Sequence, residues 1–80
     1  MITEEKSSPI EVWLTQNNMT INCMIVRQDE TTHHLDVDSL SMRGAQREMT
    51  GYFLREGYEP VGRWETDTEG ESMRRFKLKA

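Results

Sequence analysis

The chain has 80 residues, 35% of them hydrophobic and 30% charged, with a formal net charge of -4. A chain this short has room for one hydrophobic core, which excludes a second domain and leaves a narrow stability margin. No run approaches the ~20 apolar residues of a membrane span, and the acidic total opposes general attraction to nucleic acid.

The charge is unevenly spread. Residues 1–72 carry all 14 acids and only six bases, whereas Arg74, Arg75, Lys77 and Lys79 make the last eight residues purely basic. Residues 1–8 are polar and precede Pro9. They are expected to form a disordered lead-in without signal-peptide character, followed by one α+β domain over residues 9–80. A lone cysteine, Cys23, forbids an internal disulfide and fits a reducing compartment, so a soluble cytoplasmic protein is expected.

In chain order, Ile10, Val12 and Leu14 alternate with polar or outward positions, and Ile21, Cys23 and Ile25 do the same beyond Asn17-Asn18. This is strand periodicity around a turn. A two-residue Asn17-Asn18 loop pairs Leu14 with Ile21, Val12 with Cys23 and Ile10 with Ile25, all on one face. A turn near Asp29, Glu30 and Thr31 then sets Leu35 against Ile25 and Val37 against Cys23, completing a three-stranded meander.

A helix follows, capped by Asp38 or Ser41, with Met42, Ala45, Met49, Tyr52 and Phe53 as its apolar stripe. Gly57 fits a left-handed C-cap, Tyr58 can fold back on Phe53 or Leu54, and Pro60 blocks continuation. Strands over 61–66 and 72–79 flank Asp67-Thr68-Glu69-Gly70, read as a type I turn with glycine at a bulge. That register pairs Trp64 with Arg74 and Gly62 with Phe76, and places Trp64, Phe76 and Leu78 on one face. The expected architecture is an α+β antiparallel sheet, meander plus hairpin, with the helix packed on one side.

Chemistry is hard to find in these residues. Cys23 lies between Ile21 and Ile25 on the inward face, where a thiol behaves as a small hydrophobe. His33 and His34 point to opposite faces of a strand and cannot share a metal, while His34, Asp36 and Asp38 are too widely spaced. Asn18-Met19-Thr20 matches a glycosylation sequon in a chain with no other sign of secretion. The five glycines lack phosphate-loop spacing. No enzyme, metal or cofactor is expected.

Three surfaces remain. Alternation turns Trp13, Met24 and Val26 outward on the meander, a patch suited to a protein partner or a second copy of the chain. Gly44 and Gly51 share the back of the helix, each costing about 1 kcal/mol against alanine, which close approach of a partner backbone would explain. On the closing hairpin Arg63 is expected opposite Arg75, with Arg74, Lys77 and Lys79 nearby, a like-charge arrangement that an anionic partner would relieve.

The stretch from Leu54 to Lys79 resembles the end of certain short bacterial domains of unknown function. In these a helix ends in glycine, an aromatic and a glutamate lead into a hairpin, and the hairpin closes on an aromatic flanked by bases. Here the matching residues are Gly57-Tyr58-Glu59-Pro60-Val61 and Arg74-Arg75-Phe76-Lys77. Tyr58 stands where such domains often have tryptophan, and Pro60 departs from their pattern. The resemblance covers about a third of the chain and implies a small sheet-and-helix fold of bacterial origin, with no activity attached.

The expected function is a non-catalytic interaction module, self-associating as a homodimer through Trp13, Met24, Val26, Gly44 and Gly51, with no membrane partner. The alternative is a nucleic-acid-binding regulator using Arg63, Arg74, Arg75, Lys77 and Lys79.

Overall fold

The computed structural model describes residues 9–79; the lead-in expected over residues 1–8 lies outside them. The described residues form an α+β fold with one helix and a five-stranded antiparallel sheet. The elements are β1 (Ile10–Asn17), β2 (Thr20–Val26), β3 (Thr32–Leu35), α1 (Met42–Arg55), β4 (Tyr58–Thr66) and β5 (Ser72–Leu78). Spatially the strands run β3-β2-β1-β5-β4, so the first strand is central and receives the last on its free side.

The first hairpin corrects the expected register. Its loop is Asn18-Met19, not Asn17-Asn18, with Asn18 at φ 60°, so Leu14 faces Cys23 and Val12 faces Ile25. Asparagine tolerates the left-handed region, and the Thr20 hydroxyl closes the turn by donating to the Asn17 carbonyl at 3.0 Å. The second turn also differs: Leu35, not Val37, lies opposite Cys23, and His33 takes the place opposite Ile25. Both slips are by two residues. Side chains alternate with period two, so the buried set is unchanged: Ile10, Val12, Leu14, Ile21, Cys23 and Ile25 are all inside.

Ser41, rather than Asp38, caps α1; its extended backbone (φ -115°, ψ 150°) lets its hydroxyl accept from the Gly44 amide at 3.1 Å. The Asp38 and Ser39 amides donate instead to the Glu48 carboxylate, each at 3.0 Å, tying the incoming loop to the second turn of the helix. At the other end Gly57 takes φ 94° and its amide donates to the Leu54 carbonyl. The chain therefore turns at once into β4, and Tyr58 meets the Phe53 ring edge-on at 5.7 Å.

β4 begins at Tyr58 and runs through Pro60, which an edge strand accommodates because its missing amide need not feed a ladder. The expected register holds near the turn, where Thr66 faces Ser72 and Glu65 faces Met73. The ladder then breaks between Val61 and Glu65, and Pro60 rather than Gly62 faces Phe76, while Val61 rather than Arg63 faces Arg75. Two extra residues on β4 absorb the difference. Trp64 therefore has no direct partner in the ladder, yet it still points inward and meets Phe76 at 6.2 Å. The 67–70 turn carries the expected bulge, with Gly70 at φ 90° and its amide bonded to the Asp67 carbonyl.

Ala45, Met49 and Phe53 of α1 close one face of the sheet over Val12, Leu14 and Phe76. Phe53 stacks near Phe76 at 5.1 Å, and each fully buried large side chain contributes roughly 1.5–3 kcal/mol of transfer energy. One polar side chain is buried in this layer, Ser72, whose hydroxyl is satisfied by Gln46 at 3.0 Å and Thr66 at 2.6 Å.

Candidate functional site

α1 covers one face of the sheet, and the other carries the outward set. Pairing across the strands lines up His34, Met24, Trp13, Met73 and Glu65 in one row, and Thr32, Val26, Glu11, Arg75 and Val61 in the next. Trp13 thus sits mid-sheet between two methionines. It is half-buried rather than freely exposed, because its neighbours shelter the ring and its indole Nε1–H donates to Glu11 Oε1 at 3.0 Å. The same carboxylate meets Arg75 at 3.6 Å, and Glu59 meets Lys77 at 3.5 Å, so the apolar row is bordered by charges of both signs.

Met73 is the residue that sequence reasoning missed. Its outward direction follows from the alternation around Ser72 and Phe76, but its place beside Trp13 depends on β5 joining β1. Val61, 39% exposed, extends the surface toward the β4 edge.

The helix glycines prove unlike. A Cβ on Gly44 would lie 3.0 Å from the Ser41 hydroxyl and 3.1 Å from that of Ser39, so the close approach here comes from the chain's own capping loop. A Cβ on Gly51 would meet only the Arg55 guanidinium, at 3.5 Å. Leu40 and Leu54 beside this arc are exposed.

The five C-terminal bases do not form one face. Arg75 and Lys77 point outward and meet acids, whereas Arg74 turns inward over Phe76, 5.9 Å from the ring centre, and donates to the Gly62 carbonyl. Arg63 lies exposed in the irregular part of β4, and Lys79 is exposed past the end of β5. The Arg63–Arg75 opposition is absent, because the break in the ladder places Val61 there.

Cys23 is 1% exposed, and burial, followed by the Glu48 carboxylate, pushes its thiol up to about 11. A neutral buried thiol is a poor nucleophile. His33 and His34 pair with Ile25 and Met24 respectively, hence on opposite faces, and both are exposed. Among the described residues no three His, Cys, Asp or Glu side chains converge as a metal site, and no helix is long and apolar enough to cross a membrane.

No family model, curated protein or solved structure matches the chain.

Proposed function

We propose that this chain is a small cytoplasmic, non-catalytic interaction module that pairs with a second copy of itself through the open face of the sheet. The observation that carries the reading is the Met24–Trp13–Met73 row at the centre of a face that α1 leaves uncovered. Tryptophan and methionine are enriched at interface centres, and charged residues at their rims. A twofold interface must complement itself, and this face offers Glu11 and Glu59 with Arg75 and Lys77, both signs on one surface.

Five strands ~4.8 Å apart and four to nine residues long span roughly 550 Å², somewhat less than the about 800 Å² per partner of a standard interface. Association is accordingly expected to depend on concentration. The buried thiol with its raised pKa removes Cys23 as a candidate nucleophile. The nucleic-acid alternative draws less support, since Arg74 faces away from Arg75 and Lys77, and those two meet carboxylates.

Sedimentation equilibrium across a range of concentrations tests the proposal. The expected result is a reversible dimer that Met73→Lys and Val26→Lys disrupt while the monomer stays folded. A monomer at every concentration, or a dimer indifferent to both substitutions, would sink it.

A further inference from the structure

On the opposite side of the sheet, α1 and the C-terminal hairpin flank an open groove of about 390 Å³, lined by Arg43, Gln46, Arg47, Thr50, Trp64 and Arg74. It exists because β4 leaves β5 between Val61 and Glu65, so Arg74 has no partner on β4 and its side chain fills part of the gap. The volume is within the ~300–1,000 Å³ of small-molecule sites.

The lining is one-sided in charge. Arg43 and Arg47 are one turn apart on α1, where like charges repel, and Arg74 comes from the sheet beside them. No carboxylate lines the groove although the chain holds 14 acids, and among the described residues none of the three arginines meets an acid within ion-pair distance. Arg74 Nε is buried and has no hydrogen-bond partner, although its Nη2 is held by the Gly62 carbonyl.

The neutral polar groups are, by contrast, engaged within the chain. Trp64 Nε1–H donates to the Thr50 hydroxyl at 3.1 Å, that hydroxyl donates to the Gln46 backbone carbonyl at 2.8 Å, and the Gln46 side-chain Nε2 donates to the Ser72 hydroxyl. What the groove offers a ligand is guanidinium N–H. Guanidinium forks match the oxygens of a phosphoryl group, which several can grip at once.

We propose that this groove binds a small phosphorylated ligand, with Arg43, Arg47 and Arg74 donating to its phosphoryl oxygens and Trp64 forming the apolar wall. The site is on the other side of the sheet from the proposed dimer face, so it stands or falls independently of that reading.

The test is a titration of the full chain with sodium pyrophosphate at constant ionic strength, followed by NMR of the Arg74 Nε–H and Trp64 indole N–H signals. Both should shift saturably, and Arg43→Ala with Arg47→Ala should weaken binding about tenfold or more. If the helix variants lose structure by circular dichroism, Arg74→Lys, which keeps the charge but loses the fork, decides instead and should weaken binding similarly. Arg75→Ala with Lys77→Ala, which removes as much charge elsewhere, should leave the affinity nearly unchanged. The proposal is overturned by the absence of saturable shifts or by an equal loss in the Arg75/Lys77 control. Tighter binding of a single-stranded oligonucleotide that depends on Arg75 and Lys77 would likewise overturn it, in favour of a nucleic-acid surface.

Discussion

Glu30 holds in the β2–β3 loop the backbone position that Gly70 holds in the β4–β5 loop. In one, the Arg27 amide donates to the Thr31 carbonyl and the Glu30 amide to that of Arg27; in the other, Asp67 bonds to Glu71 and Gly70 to Asp67 in the same pattern. The fourth residue is left-handed in both, at φ 72° for Glu30 and 90° for Gly70. An aspartate side chain supports each loop, Asp29 accepting from Thr31 and Asp67 from Glu69 and Glu71.

A side chain in the left-handed region costs roughly 1–2 kcal/mol, partly offset because glycine loses more entropy on folding. Glu30→Gly should therefore stabilise the chain by about 0.5–1 kcal/mol, read as a higher urea midpoint with unchanged slope. Gly70→Ala should do the opposite by a similar amount, for a backbone reason alone, since nothing lies within 4 Å of the added Cβ. Equal stability of both variants and the parent would refute the equivalence of the loops.

The two helix glycines should separate on replacement. Gly51→Ala should stabilise by close to the ~1 kcal/mol that alanine gains over glycine in a helix, because only a flexible arginine tip is near. Gly44→Ala should forfeit that gain or lose stability, since its methyl crowds the capping Ser41 hydroxyl and Ser39. Thermal melts of the two variants decide it, and a larger gain at position 44 would contradict the packing described.

Glu48 makes folding pH-dependent on the acid side. The Asp38 amide first, then the Ser39 hydroxyl and amide, hold its carboxyl below its ordinary 4.5. The stability it contributes is present above that value and is lost as pH falls through the lower folded pKa. In Glu48→Gln the acid-side decline measured by denaturant titration should be shallower than in the parent, and parallel declines would show that these bonds carry no net energy.

Cys23 acts on the alkaline side. Its folded pKa is raised from 9.0 to about 11, so stability is complete below 9 and falls as pH rises toward the folded value, by up to about 2–3 kcal/mol. Cys23→Ala should remove this extra decline while costing stability at neutral pH through lost packing. A thiol reagent should label the native chain only at the rate of its opening; immediate labelling would mean that Cys23 is accessible.

The inward and outward faces were legible from alternation, even though each hairpin differs in register from expectation. Every slip was by two residues, and a period-two pattern is blind to such a shift. The helix, its glycine stop and the Asp67–Gly70 turn were legible for a similar reason, since caps and tight turns are made by residues a few positions apart. The position of Val61 rather than Arg63 opposite Arg75 is not legible in the same way, because the two extra residues on β4 leave no local trace beyond Gly62.

Local periodicity and turn chemistry in the sequence thus determined which side chains are dry and where the chain reverses. Tertiary structure alone decided that β5 joins β1, bringing Met73 to Trp13 across 60 positions, and that α1 sets Arg43 and Arg47 beside the inward-facing Arg74. The physical reason is range. Alternation is a property of neighbours along one strand, whereas strand adjacency is chosen by the burial of the whole core, to which β5 brings Phe76 and Ser72.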